Sequence, residues 1–386
     1  MKAYLDNGAT TRVDDEVLKD MLPYFSKNYG NASSLHTEGQ IAKKAMEKAR
    51  KIIAEKINAN PQEIFFTSGG TESNNFAIKG VAFMNKSKGK HIITTKVEHD
   101  CVLNACKWLQ RNGYDISYIG VDSEGLINLN ELEKEIRDNT ILVSIIHGNN
   151  EIGTIQNLEK IGEICNNKGV YFHTDACQSF TKVPIDVKKQ KIDLITINSH
   201  KIHGPKGVGA LYVKNGTKID ALHHGGGHEK NKRSGTENIS GIVGFGKAVE
   251  IANKKNFEKM EKLRDYLIEK ILEIPETRLN GPKKNRLCNN THFSFSHIEG
   301  ESIVLMLDAK GISASTGSAC SNNQLKGSHV VEAIGIDPKI SHGSLRLTIS
   351  KYTTKKEIDY TITEIKKIVK RLRAMSPLGG EKNVHK

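Results

Sequence analysis

The sequence is short of several things. Its 386 residues include 8 prolines, one tryptophan and six cysteines, and aromatic residues make up 6%. With 34 glycines in no regular period, that scarcity excludes a collagen-like or proline-rich low-complexity chain. No apolar run approaches the roughly 20 residues of a membrane-spanning helix; Thr140–Ile146 is typical of the longest. The first residues, MKAYLDNGATTRVDDEV, are polar and acidic and lack the apolar stretch of a secretory signal. A soluble, cytoplasmic protein is expected. The cysteines, Cys101, Cys106, Cys165, Cys177, Cys288 and Cys320, contain no CxxC pair. They read as separate thiols, most of them buried, rather than as a disulfide framework.

What is present is charge, length and short apolar runs. Lys plus Arg is 57 against 44 Asp plus Glu, a formal charge of +13. The lysines are scattered beside glutamates at helical spacing, as in Glu38–Lys56 and Glu250–Lys270, which describes a solvated face. A nucleic-acid binder would gather its excess into one stripe with interleaved aromatics. At about 150 residues per domain the length suggests two to three domains.

Helical and strand patterns alternate, the signature of an α/β fold. Asp14–Phe25, Thr37–Ile57 and Asn74–Met84 carry apolar residues at helical spacing. Between and after them come short uninterrupted runs at Glu63–Thr67, His91–Thr95, Ile116–Ile119, Ile141–Ile146, Val170–His173 and Leu194–Asn198. Such runs suit parallel strands covered on both faces. Gly207–Val213 reads as a further strand, antiparallel to the rest. One lysine-rich helical stretch, Gly244–Leu272, reads as a connector to a smaller α+β lobe. That lobe holds Asn290–Phe295, Gly311–Ser315 and Ser344–Ile349 and is closed by a helix over Lys355–Arg373.

Three places could carry chemistry. The strand-to-helix turn Thr67-Ser-Gly-Gly-Thr71 has the glycines and helix start that suit a phosphate, although many βα turns share that composition. Asp175 ends the strand Val170–Asp175, where open α/β sheets bind ligands; a simple helix cap is the plainer reading. Lys201, in Ser199-His-Lys-Ile-His-Gly-Pro-Lys206, follows a strand and precedes a Gly-Pro turn, a place where an amine can be activated for Schiff-base chemistry. Any one of these is weak. Together, a phosphate cradle, an acid for a pyridinium nitrogen and a reactive lysine match pyridoxal phosphate.

With those parts in place, the chain resembles the NifS/IscS-type cysteine desulfurases of the class-V aminotransferase family, within the fold-type I superfamily. The resemblance runs from Tyr4-Leu-Asp-Asn-Gly-Ala-Thr-Thr11 to Met375-Ser-Pro-Leu378. It rests on Gly30-Asn-Ala-Ser-Ser-Leu-His36, the Thr67–Glu72 turn, Glu98-His99, Asn149-Asn-Glu-Ile-Gly153 and His173-Thr-Asp-Ala-Cys-Gln178. Further on it rests on the Lys201 segment, Gly225-Gly-Gly-His228 with Arg233-Ser-Gly-Thr236, Gly317-Ser-Ala-Cys320 and Leu345-Arg346.

The resemblance implies a large pyridoxal 5'-phosphate domain with a mostly parallel sheet over residues 14–255. Residues 1–13 and 256–386 would form the smaller domain and carry the catalytic-cysteine loop. Lys201 would hold the cofactor, His99 would stack on its ring and move protons, and Asp175 would keep its ring nitrogen protonated. Gln178 and Asn150 would reach the phenolic oxygen or its surroundings, Asn150 also bordering the substrate. Gly70, Thr71, Asn198 and His200 would bind the phosphate, with Thr236 reaching across from a second subunit of a homodimer. Arg346 would pair with the substrate carboxylate, and Cys320, with Lys326 or His329 nearby to hold a thiolate, would accept sulfur. The implied reaction converts L-cysteine to L-alanine and leaves a persulfide on Cys320. That sulfur would pass to an iron–sulfur scaffold protein or other thiolation pathways.

Two positions depart from the family pattern: Asn198, where a serine is frequent, and Gly8, where Asn or Ala is usual. Selenocysteine lyase or aminotransferase activity on the same fold, and a sulfur-relay docking protein with weak turnover, are the alternatives. An aminotransferase would not need a mobile cysteine; a docking protein would not need the complete cofactor set. His223, His224 and His228 sit in a glycine loop at spacing too loose for a metal site, and no resident metal is expected. Cys320 could touch a cluster only in passing. Cys101 and Cys106 read as packing residues, and Cys177 as a core thiol.

Overall fold

The structure is a computed structural model that describes residues 1–317, 328–337 and 342–376. Its main element is a seven-stranded sheet. The strands are β2 (Ile64–Thr67), β3 (His91–Thr95), β4 (Asp115–Ile119), β5 (Thr140–Ser144), β6 (Tyr171–Asp175), β7 (Leu194–Asn198) and β8 (Gly209–Val213), in spatial order β2-β8-β7-β6-β5-β3-β4. β4, β3, β5, β6 and β7 are parallel, whereas β8 runs antiparallel to both β7 and β2. Every residue of β2, β3, β5, β7 and β8 is buried. Helices cover both faces, which is why these strands read as continuous apolar runs rather than alternating ones. One face packs Ile93, Val143, Phe172 and Ile195 against the helices Thr37–Lys56 and Ile239–Glu250. The other packs Ile92, Leu142 and Leu194 against Gly70–Met84 and Asp100–Arg111.

A second core lies apart from the sheet. Strands β9 (Thr277–Leu279), β10 (Asn290–Phe295) and β12 (Ser344–Thr348) form an antiparallel sheet in the order β12-β10-β9. Helices Lys254–Leu272, Gly300–Asp308 and Lys355–Met375 bury Leu267, Ile303 and Ile365 with Phe293 and Leu345. The N-terminus joins this core: β1 (Ala3–Tyr4) pairs in parallel with β11 (Ile312–Ser313), and Ala3 and Leu5 are buried in it. Residues 6–11 then cross to the large sheet, where Thr11 N donates to the His200 carbonyl at 3.0 Å.

The expected single helical stretch Gly244–Leu272 is two helices, Ile239–Glu250 and Lys254–Leu272. Asn253 separates them: its backbone is extended, and its side chain accepts from Asn256 N and so starts the second helix. Lysine-rich periodicity on both sides hid that break. Among the described residues, no helix is long and apolar enough to cross a membrane.

Candidate active site

The site is built on the carboxyl ends of the central strands. β2 ends at Thr67, and the chain turns through Ser68 and Gly69 into helix Gly70–Met84. Gly69 holds φ 152° and ψ −175°, backbone that only glycine adopts without strain. A Cβ on Gly70 would stand 2.7 Å from Cys177 Sγ, so the first helical turn lies directly against the segment after β6. No side chain caps this helix. Its first amide donors and positive dipole end are left for an anion at Gly70 and Thr71.

Asp175 closes β6 and is 4% exposed. Both carboxylate oxygens are held: Oδ2 accepts from Asn74 Nδ2 at 2.7 Å and Oδ1 from Cys177 N at 2.9 Å. Lys201 follows β7, and its Nζ donates to the carbonyls of Gly8 and, at 2.6 Å, Ala9. His99 is the N-cap of helix Asp100–Arg111, its Nδ1 accepting from Cys101 N at 3.2 Å. That bond orients the ring and leaves the hydrogen on Nε2. Burial, reinforced by neighbouring Lys201, pulls His200 down to about 4. It is a neutral imidazole at neutral pH, able to donate without adding charge.

The facing wall comes from the smaller core. Arg346 lies in β12 and is 5% exposed. Its Nη1 donates to Asn150 O at 3.1 Å and its Nη2 to Asp6 Oδ1 at 3.2 Å, while Nε is buried without a partner. Oδ1 of Asn74, of Asn150 and of Asn198 are unpaired in the same way. These walls enclose a cavity of about 260 Å³ lined by Gly8, Gly70, Thr71, His99, Asn150, Asp175, Gln178, Asn198, His200, Lys201 and Arg346. Larger clefts, such as one of about 600 Å³ beside Lys56 and Arg286, gather no such set.

The donor set fits pyridoxal 5'-phosphate. Helix amides and a neutral imidazole suit a phosphate, a fixed buried carboxylate suits a pyridinium nitrogen, and an amine suits an aldehyde. The unpaired amide oxygens of Asn150 and Asn198 and the guanidinium Nε require polar partners in this cavity, because buried polar atoms rarely stay unpaired.

The family profile for class-V aminotransferases matches residues 3–361. The chain belongs to the class-V aminotransferase family. Among its family relatives, cysteine desulfurase IscS of Methanosarcina thermophila is 52% identical over 378 residues, covering 97% of this chain and 94% of that one. Cysteine desulfurase IscS of Dictyoglomus turgidum is 49% identical, covering all of this chain and 99% of its own. Of solved structures, a NifS-like protein superposes with TM-score 0.91 at 40% identity, covering 96% of this chain and all of that one. SspA in complex with cysteine superposes with TM-score 0.83 at 37% identity, over 92% of this chain and all of that one.

The aminotransferase fold thus brings nearly every expected site residue into one cavity. Thr236 is the exception: it is exposed, outside its own chain's cavity, on a loop docked by the Arg233 Nε–Glu72 Oε1 ion pair at 2.8 Å. Cys320 and Lys326 lie outside the described residues. His329 is described, and its Nε2 meets the Glu98 carbonyl at 2.9 Å. Gln178 donates through Nε2 to Gly8 O at 2.8 Å.

Three polar cavity residues were not expected in the site: Asn74, which was not singled out, Cys101, expected as a packing residue, and Cys177. Asn74 stands four positions into its helix, one turn beyond Gly70, and that spacing was the available signal. Cys177, expected as a core thiol, lines the cavity against Gly70. Cys101 contacts Asn74 Nδ2 and His99 Nδ1, each at 3.1 Å. Burial pushes the Cys101 and Cys106 thiols up to about 12 and Cys288 up to about 11, and raises Cys165 and Cys177 as well. All five described cysteines are therefore thiols, not thiolates, at neutral pH. No group of three or more His, Cys, Asp or Glu among the described residues is arranged to hold a metal.

Proposed function

We propose that this chain is a pyridoxal-phosphate-dependent cysteine desulfurase that supplies sulfur for iron–sulfur cluster assembly. The observation that carries the reading is one cavity containing Lys201, Asp175, His99 and Arg346, in a chain whose relatives are cysteine desulfurases. Lys201, Asp175, His200, Gly70 and Thr71 would hold the cofactor, with Asn150, Gln178 and Asn198 around its ring and phosphate. When bound, the cofactor supplies an electron sink for the pair left at the substrate's α-carbon.

The chain's own groups do the rest. Arg346 offers its guanidinium to the α-carboxylate of cysteine, exchanging part of its contact with Asp6 for the substrate. Lys201 Nζ takes the α-proton, and the carbonyls of Gly8 and Ala9 hold that amine on the substrate side. His99 Nε2 carries the proton that the leaving and entering groups exchange. Cys320, as a thiolate, attacks the substrate sulfur: the carbon–sulfur bond breaks, a sulfur–sulfur bond forms, and L-cysteine plus enzyme thiol become L-alanine plus enzyme persulfide. Burial keeps the five described thiols protonated, which accords with the acceptor role that the family resemblance implies for Cys320.

A homodimer completes the reading. Exposed Thr236 is available to a second copy's phosphate site, and Leu22, Phe25, Tyr29 and Leu35 form an exposed apolar stretch that association would cover. Sedimentation as a monomer with full cofactor would remove the dimer. The deciding experiment measures alanine and sulfide released from L-cysteine by the wild type and Cys320→Ala. The wild type should release both, and Cys320→Ala should keep its bound cofactor while releasing neither. Normal alanine release by Cys320→Ala would overturn the assignment.

A further inference from the structure

Beneath Lys201 lies a lysine that the reaction leaves unused. Lys182 Nζ donates to the carbonyl of Gln178 at 2.8 Å and to the carbonyl of Lys201 itself at 3.2 Å. It faces a small cavity of about 40 Å³, shared with Asn7, Asn289 and Met260. Among the described residues no carboxylate figures in its electrostatic surroundings, and withdrawal from water pulls its ammonium down to about 8. A cation placed there without a counter-charge lowers stability rather than adding to it.

The residue before it is strained. Thr181 is buried, holds φ 67°, and has no partner for Oγ1. Left-handed backbone is uncommon for any side chain, and at a β-branched residue it is a genuine outlier. The chain therefore tolerates two local costs at adjacent positions, and both serve to aim Lys182 at the Lys201 carbonyl.

The contacts form a closed ring. Lys182 joins the backbones of Gln178 and Lys201. The Gln178 side chain donates to Gly8 O, and Lys201 Nζ donates to that same oxygen. Lys201 is thus held at its carbonyl by one lysine and at its amine by the atom that Gln178 also grips. We propose that Lys182 is a positioning residue for the reactive lysine: it closes this ring and fixes where the Lys201 amine enters the cavity. The inference rests on the desulfurase reading and deepens it.

Lys182→Met keeps the unbranched stem and removes the donor. Three quantities are compared with the wild type: the melting temperature of cofactor-free protein, the affinity for pyridoxal 5'-phosphate, and the pH midpoint of the visible absorbance of the loaded enzyme. The proposal expects a melting temperature equal to or above that of the wild type, since an unpaired cation has gone. It expects cofactor affinity about tenfold weaker and a displaced pH midpoint. A purely structural lysine would give the reverse, a lower melting temperature with unchanged affinity and midpoint, and that result would overturn the proposal.

Should Lys182→Met not fold, Thr181→Gly is added to relieve the backbone, and the same three readings are taken. A protein that stays unfolded with both changes also overturns the proposal, because Lys182 would then hold the fold rather than the amine. A wild type that takes up no pyridoxal 5'-phosphate would sink the desulfurase reading itself. A wild type that loads normally beside an unaltered Lys182→Met protein sinks this inference alone.

Discussion

The two walls of the cavity are assembled on different terms. The cofactor wall hangs on one sheet: Asp175 ends β6, Asn198 ends β7, and Gly70 follows β2, all anchored in strands that are buried almost throughout. The substrate wall is pieced from distant chain. Arg346 reaches Asn150 across 196 positions and Asp6 across 340, and its backbone bridges to Ser315. A wall on strand ends inherits the stiffness of a sheet. Damage to the first should show as lost cofactor, and damage to the second as lost substrate binding or sulfur transfer.

The largest effect belongs to the cofactor wall. Lys201→Ala should lower alanine formation by roughly 10²–10⁴-fold or more, since it removes the proton-moving amine. Borohydride reduction of the wild type should label Lys201; a label on Lys206 or Lys182 instead would reassign the reactive lysine. On the same wall, Asn74→Leu strips the donor from a buried carboxylate, a loss of about 1.5–3 kcal/mol. Cofactor affinity measured by titration should fall by about ten- to a hundredfold, with little change in KM for cysteine among loaded molecules.

The substrate wall should fail in the other manner. Arg346→Leu should cut kcat/KM for cysteine by about ten- to a hundredfold, while cofactor affinity stays within about twofold of the wild type. An Arg346→Leu protein that cannot retain cofactor would erase the distinction between the walls.

Acid and base should stress the molecule from opposite sides. Burial pulls His147, His173 and His203 down to about 4, against 6.5 in an unfolded chain. Between those values the unfolded chain binds protons that the folded chain refuses, so stability is present above about 6.5 and falls as pH drops toward 4. Glu98 has the opposite sign. Burial raises it to about 8 from 4.5, so its contribution is complete below 4.5 and is lost as pH rises to about 8. Together with His200 and His292, lowered in the same way, these histidines outweigh one glutamate on the acid side, and melting temperature should decline there. Glu98→Gln should raise the melting temperature at pH 8 relative to the wild type; a decrease would mean that Glu98 is ionised in the folded state.

The smallest effect concerns Gly8, which departs from the family pattern. A Cβ there would meet Thr348 Cγ2 at 3.0 Å and Oγ1 at 3.2 Å. Gly8→Ala should cost about 1 kcal/mol in thermal denaturation, because Thr348 must shift by a few tenths of an ångström. No loss would show that the two cores slide apart there without cost.

Much of the cofactor wall could be read before any coordinates, because its signals are local. A glycine pair between a strand and a helix, an acid closing an apolar run and a lysine after the next run each lie within a few residues of the element that positions them. Helix limits failed at Leu22, where Asp14–Phe25 divides into Asp15–Met21 and Pro23–Ser26 ahead of a proline, and at Asn253, where one asparagine divides two lysine-rich helices. Asn74 and Cys177 escaped because nothing about either residue alone announces a cavity. Their roles depend on β6 lying beside the start of helix Gly70–Met84.

By itself the sequence pointed to the α/β class and offered the glycine turn, Asp175 and Lys201 as candidates, since periodicity and motif spacing act over short distances; Arg346 entered only through the family resemblance. Only the tertiary structure decided that Asn74 secures Asp175, that Lys201 lies between Gly8 and Lys182, and that Arg346 faces Asn150. Those relations join chain segments from 19 to 196 positions apart. No local pattern encodes such a meeting; it follows from how two cores close on one another once their apolar faces are buried.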